Sequence, residues 1–171
     1  MMLRLLIPCL LFLAVSTQVR GQNFELSAGW AIPVEKLEDI VQDGLSIRSA
    51  YVWPITDSRN VALLVRGGVT RFFETDGVSG IDRSFLGGYR VQPSDGRFWL
   101  DLTIGPLTRR VANFKSKTFF AASFDIGVVV VRRNAGGLAV YLSSTAADTN
   151  EDPYQSRSDW TYGGLGLAYR F

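Results

Sequence analysis

Ser123 stands two residues before Asp125, and Ser143 adjoins Ser144. A hydroxyl beside a carboxylate or a second hydroxyl is the least from which a nucleophilic site could be built. The base that such a site needs is missing. The 171 residues include no histidine, so the commonest general base and the commonest metal ligand are both absent. The single cysteine, Cys9, lies in the apolar run near the N-terminus. No catalytic, metal or cofactor-binding residue is therefore expected, and no cofactor. The chemistry that remains is ionic: Glu25, Asp101 and Asp125 against Arg48, Arg66, Arg90 and Arg170, each within an otherwise apolar or small-residue segment.

Those charges need elements to hold them, and period-two alternation says which. Eight segments are rich in Val, Ile, Leu, Phe, Tyr or Trp and bounded by Gly, Pro, Asn, Asp or Ser. They run at about Phe24 to Ile32, Leu45 to Ile55, Val61 to Phe73, Arg83 to Val91, Arg97 to Leu107, Thr118 to Val131, Leu138 to Ser144 and Trp160 to Phe171. In a strand successive side chains point to opposite sides. Leu45, Ile47, Tyr51, Trp53 and Ile55 share a face in the second segment, and Phe120, Ala122, Phe124, Ile126, Val128 and Val130 share one in the sixth. The seven charges fall on the opposite faces, among Gly, Ala, Ser and Thr. With eight strands a barrel interior is just wide enough for side chains to fill. The seven charges are expected to pair there as a structural network.

Connections alternate in length. Tight turns are expected at Asp57 to Asn60, Pro93 to Gly96 and Arg133 to Gly136, and longer joins at Pro33 to Gly44, Glu74 to Asp82, Thr108 to Lys117 and Thr145 to Asp159. Short turns at one rim and long loops at the other characterise bacterial outer-membrane barrels. Alternation by itself also fits a soluble, lipocalin-like barrel with its apolar face inward. Aromatic residues favour the membrane: Trp53, Tyr89, Phe98, Tyr169 and Phe171 belong toward one rim, and Trp30, Phe85, Phe120 and Trp160 toward the other, as two interfacial belts require.

The N-terminus points the same way. Arg4 precedes an apolar run from Leu5 to Val15, followed by a polar stretch ending Val19-Arg20-Gly21. The run is too short to span a bilayer, for which about 20 residues are needed. Residues 1–21 read as a cleaved signal peptide, leaving residues 22–171 as one barrel domain. The chain carries 18 basic and 16 acidic residues; Arg4 and Arg20 leave with the signal, and the remainder is formally neutral. A nucleic-acid partner is not expected.

The chain ends Leu165, Leu167, Tyr169, Phe171 on one face, with Arg170 on the other. Strand number, loop asymmetry, polar lumen and terminal Phe171 resemble the small OmpA-like and OmpX-like outer-membrane barrels. The fold class expected is all-β: an eight-stranded antiparallel up-and-down transmembrane barrel with a polar, side-chain-filled lumen. That resemblance implies location in the cell outer membrane after export to the periplasm, outer-membrane lipid as surroundings, and a monomer. It also makes Leu165, Leu167, Tyr169 and Phe171 an assembly signal for the barrel-assembly machinery. Some eight-stranded barrels modify lipid A, but those families use a His with a Ser and an acid, and this sequence has no His. A structural or surface-interaction role through the loops is expected, with a narrow, porin-like channel as the alternative. The first loop is acidic (Glu35, Glu38, Asp39, Asp43 against Lys36) and has room for a short helix. The fourth is acidic too (Asp148, Glu151, Asp152, Asp159 against Arg157). The third carries Arg109, Arg110, Lys115 and Lys117, an expected contact for lipopolysaccharide or another anionic surface polymer, or for the acidic loops beside it.

Overall fold

The structure, a computed structural model, describes residues 23–34, 37–38, 41–55, 60–75, 77–93, 95–112, 116–133, 136–148 and 160–171. The expected signal peptide and most acidic residues of the first and fourth loops lie outside them, as do Lys115 and the side chain of Trp160. Eight strands form: β1 Phe24–Val34, β2 Gly44–Pro54, β3 Val61–Thr75, β4 Val78–Val91, β5 Phe98–Val111, β6 Lys117–Arg133, β7 Gly136–Asp148 and β8 Trp160–Arg170. Each pairs antiparallel with its sequence neighbours, and β1 pairs with β8 to close the barrel. Closure removes every sheet edge, so no row of backbone groups is left unpaired at a seam.

Burial settles the direction of the two faces. Leu26, Trp30, Ile47, Leu63, Val69, Phe85, Leu102, Ile104, Phe120, Leu142, Leu165 and Leu167 are all exposed, Ile47 at 67%. Glu25, Arg66, Arg90, Asp101, Asp125 and Arg170 are all buried, Asp101 at 0%. The oily face is outside and the charges are inside, the reverse of a lipocalin.

Loop lengths depart from the expected rhythm. The join expected from Glu74 to Asp82 is only Asp76 and Gly77, because β3 and β4 continue pairing to Thr75↔Val78 across a register shift, and Gly77 takes a φ of 81°. The third loop shrinks to residues 112–116, because Thr108, Arg109 and Arg110 belong to β5. The fourth strand starts at Val78 rather than Arg83: its Gly80 and Asp82 face the lumen and Ile81 and Arg83 the outside, an alternation that small residues had hidden. In the first loop the expected short helix is a single 3₁₀ turn at Leu37.

Prolines sit where a ladder bond is dispensable. Pro33 pairs with Tyr162 of β8 but lies beyond Ala31↔Gly44, the last pair that β1 makes with β2. Pro106 lies in the gap between Ser84↔Leu107 and Gly87↔Ile104, on a stretch where β5 makes no ladder pair with β4.

Candidate functional site: the charged lumen and the outer rim

The seven lumen charges form one chain across the barrel. From β8, Arg170 Nε donates to Glu25 Oε2 of β1 at 3.0 Å. Arg90 of β4 reaches Glu25 Oε2 from Nη1 at 2.9 Å, and grips Asp101 of β5 with Nε at 2.7 Å and Nη2 at 2.8 Å. Arg66 of β3 bridges Asp101 and Asp125 of β6, one carboxylate per terminal nitrogen. Arg48 of β2 completes the series on Asp125 at 2.8 Å. The order Arg170, Glu25, Arg90, Asp101, Arg66, Asp125, Arg48 alternates in sign at every step, and seven of the eight strands contribute. Guanidinium forks suit this, because each presents several donors in a plane and can bridge two carboxylates.

Two aromatic residues, absent from the sequence reading, floor this chain. Trp99 is 1% exposed, with Arg170 4.3 Å and Arg90 5.1 Å from its ring centre. Tyr141 lies 4.4 Å beneath Arg48. Both face glycine. Trp99 is paired with Gly127, where a Cβ would collide with the indole, and Tyr141 lies over Gly29 and Gly166, where a Cβ would come 2.6 Å from its hydroxyl. A lumen this narrow admits a large ring only opposite a residue without a side chain. The pairing partners Trp99↔Gly127 and Tyr141↔Gly166 were the available signal, but only once register was known.

The lumen also holds apolar clusters. Ala50, Val52, Ala62 and Leu64 pack together, as do Leu86, Leu107, Ala121 and Ala147. At the outer end Leu37 and Val41 of the first loop are each 1% exposed against Phe72, Tyr162 and Ala31, so these two side chains pack inward at the barrel mouth. Between cap and ion-pair chain lies a small cavity of about 10 Å³, among whose lining residues are Ser46, Thr70, Ser84, Ser123 and Thr145. That is room for one water molecule, with ample hydroxyl partners.

The serines do not assemble a nucleophile. Ser123 Oγ is 3.4 Å from Asp125 Oδ2, but Asp125 is already engaged by two guanidinium groups, which hold its electron pairs. Ser143 faces inward and Ser144 outward, as neighbours in a strand must. Among the described residues no cluster of carboxylates forms a metal site.

The expected basic loop requires correction. Arg109 is not on a loop and not at the surface: it is 5% exposed in β5, and its Nε donates to Asp82 Oδ1 of β4 at 2.7 Å, with a second bond from Nη2 to Oδ2. Strand parity turns it inward, so it cannot meet an external polymer. Its neighbour Arg110 faces outward and is exposed, and Lys117 is half-buried at the start of β6 opposite Arg109. At the closing seam, Leu165, Leu167, Tyr169 and Phe171 are exposed on the outer face. The Phe171 ring lies 5.7 Å from Phe24 and 4.9 Å from Tyr169, and its N–H donates to the Phe24 carbonyl at 2.9 Å.

No family model matches the sequence, and no curated protein does. Solved structures do match in shape. Neisserial surface protein A superposes with a TM-score of 0.62 at 11% identity, over 88% of this chain and 96% of that one. The Yersinia pestis outer membrane protein Ail, determined in phospholipid bilayer nanodiscs, gives a TM-score of 0.56 at 16% identity, over 87% of this chain and 99% of that one. The crystal structure of Ail, the attachment invasion locus protein of Yersinia pestis, gives 0.52 at 15% identity, over 87% and 99%. At such identities the likeness establishes the shared barrel fold.

Proposed function

We propose that this protein is an integral barrel of a bacterial outer membrane, exported to the periplasm and then inserted, with a structural or surface-interaction role played through its outer rim. One observation carries the reading: the barrel is apolar outside and filled with paired charges inside, which suits lipid around it and leaves the lumen no continuous water path. The bilayer setting of Ail and the surface designation of the neisserial protein support the location. The shared barrel architecture supports it too. The assembly role of Leu165, Leu167, Tyr169 and Phe171 belongs to this reading, since an aromatic terminus at the β1–β8 seam is placed to be engaged as the barrel closes.

The lumen argues for a scaffold over a channel. A conducting path would have to cross the ion-pair chain, the Trp99 and Tyr141 rings and the cap formed by Leu37 and Val41. The membrane reading is tested by fractionation and gel migration. The protein should collect with outer membranes and run faster unheated than boiled, as a folded barrel does in detergent. A soluble periplasmic protein with heat-independent migration would end it.

A further inference from the structure

We propose that the outer face of β3, β4 and β5 at the long-loop rim binds the phosphate headgroup of a membrane lipid on Arg71, Arg83 and Arg110, with the lipid's hydrocarbon chains lying in the groove beneath. The inference rests on the membrane-barrel reading. These are three arginines on the oily side of the barrel, and strand register brings them together. Arg71 and Arg110 both pair with Ile81, one on each side of β4. Arg83 lies two residues deeper on β4, between Val69 and Thr108. With strands about 4.8 Å apart, the Cα atoms of Arg71 and Arg110 are roughly 10 Å apart, and that of Arg83 is about 7 Å from the Ile81 position. All three are exposed.

Three cations on adjacent strands repel one another, and none of the described carboxylates is paired with them; Asp43, next to the end of β3, accepts from Trp30 Nε1 at 2.8 Å. Among the described residues no ion pair involves Arg71, Arg83 or Arg110. Asp82, between Ile81 and Arg83, is turned into the lumen and held by Arg109. Glu74 is exposed at the end of β3, three residues past Arg71. The outward face is thus a compact basic patch, bordered by the hydroxyls of Thr108 and Thr118, which bond to each other at 2.9 Å. Guanidinium groups and hydroxyls at such spacing suit a phosphate, which accepts bidentate, charge-assisted bonds.

What lies below the patch identifies the phosphate as a lipid's. Phe85, 63% exposed, and Phe120, 60% exposed, follow the arginines into the apolar band. Beneath them is a groove of about 640 Å³ on the outer surface, lined by Gly87, Ile104, Ala122, Phe124, Tyr89 and Leu102 among others. It is a groove because Gly87 and Ala122 occupy rows that elsewhere carry Leu, Ile or Val. Headgroup donors directly above an apolar slot match a molecule with a phosphate at one end and hydrocarbon at the other. A free phosphate ion would use only the upper half. An outward arginine near the midplane would cost stability, but at the interface that cost nearly vanishes.

The test uses the full folded protein in phosphatidylcholine vesicles with and without added phosphatidic acid, reading the lipid retained after extraction into detergent by native mass spectrometry. Wild type should retain phosphatidic acid in preference to phosphatidylcholine. Each arginine removed should lower that preference roughly fivefold, so that R71Q/R83Q/R110Q loses it altogether. Arg132→Gln, at an exposed arginine near the opposite rim, should leave the preference intact, and Ala122→Leu, which fills the groove, should weaken it with the arginines untouched. Equal retention by wild type and the triple variant, both inserted and heat-modifiable, would overturn the site while leaving the membrane barrel standing. Full competition by soluble glycerol phosphate, or an equal loss in Arg132→Gln, would overturn it too. Failure of wild type to insert into any of these vesicles would remove the membrane reading first and the site with it.

Discussion

Asp125 accepts from Arg48 and Arg66 at once, and Asp101 from Arg66 and Arg90, so each central carboxylate is shared by two guanidinium groups. Removing one member leaves its partners charged, buried and unmatched. Asp125→Asn should therefore cost about 3–5 kcal/mol in urea unfolding from detergent micelles. Ser123→Ala, which removes two neutral-hydroxyl contacts, to Asp125 at 3.4 Å and from Thr145 at 3.2 Å, should cost about 1–2 kcal/mol. Arg109 and Arg110 make a sharper pair, being neighbours in sequence with opposite surroundings. Arg109→Gln strands the buried Asp82 and should destabilise the barrel by about 3–5 kcal/mol. Arg110→Gln should stay within about 0.5 kcal/mol in the same detergent titration. Equal effects would mean that β5 does not alternate as described.

Strands decide which of these residues can meet, and two of their features make predictions. Trp99 of β5 fits because its partner on β6 is Gly127, so Gly127→Val should push the indole from its place between Arg90 and Arg170. The expected signs are a lowered unfolding midpoint and changed tryptophan emission. Gly87→Val, on the outer face of β4, should leave both unchanged, since its added Cβ has open surroundings. The β1–β8 seam is held at its end by the bond from Phe171 to Phe24 and by their rings. Deleting Phe171 should slow appearance of the heat-modifiable form in cells before it lowers the stability of barrels already formed. An unchanged assembly rate would remove the terminal residue from any part in closure. At this scale the strands and their alternation were plain from the sequence. The extensions of β4 and β5 were not, because Gly80, Asp82, Arg109 and Arg110 resemble loop composition until cross-strand pairing supplies their context.

At the scale of the whole molecule, the ion-pair chain, the ring floor and the inward side chains of Leu37 and Val41 obstruct one lumen in series. Conductance in planar bilayers should be absent or small and irregular, and a steady large pore would refute a plugged barrel. Truncating Leu37 and Val41 to serine should expose the upper lumen while leaving the ion pairs below in place. Those pairs are buried, so added salt should change the barrel's stability little.

The sequence by itself determined the strand count, the two-faced character of each strand, and which seven charges belong to one compartment, because alternation with period two is local and survives without any partner. Alternation alone did not say whether the oily face was inside or outside, since inverting a barrel does not alter it, but the aromatic belts at the strand ends did, and the burial of the charges agrees with them. Only the tertiary structure decided the order in which Arg170, Glu25, Arg90, Asp101, Arg66, Asp125 and Arg48 link, the insertion of Trp99 opposite Gly127, and the gathering of Arg71, Arg83 and Arg110 on one outer patch. Each of these depends on which residues of different strands stand side by side, and register is fixed by closure of all eight strands together rather than by any one of them.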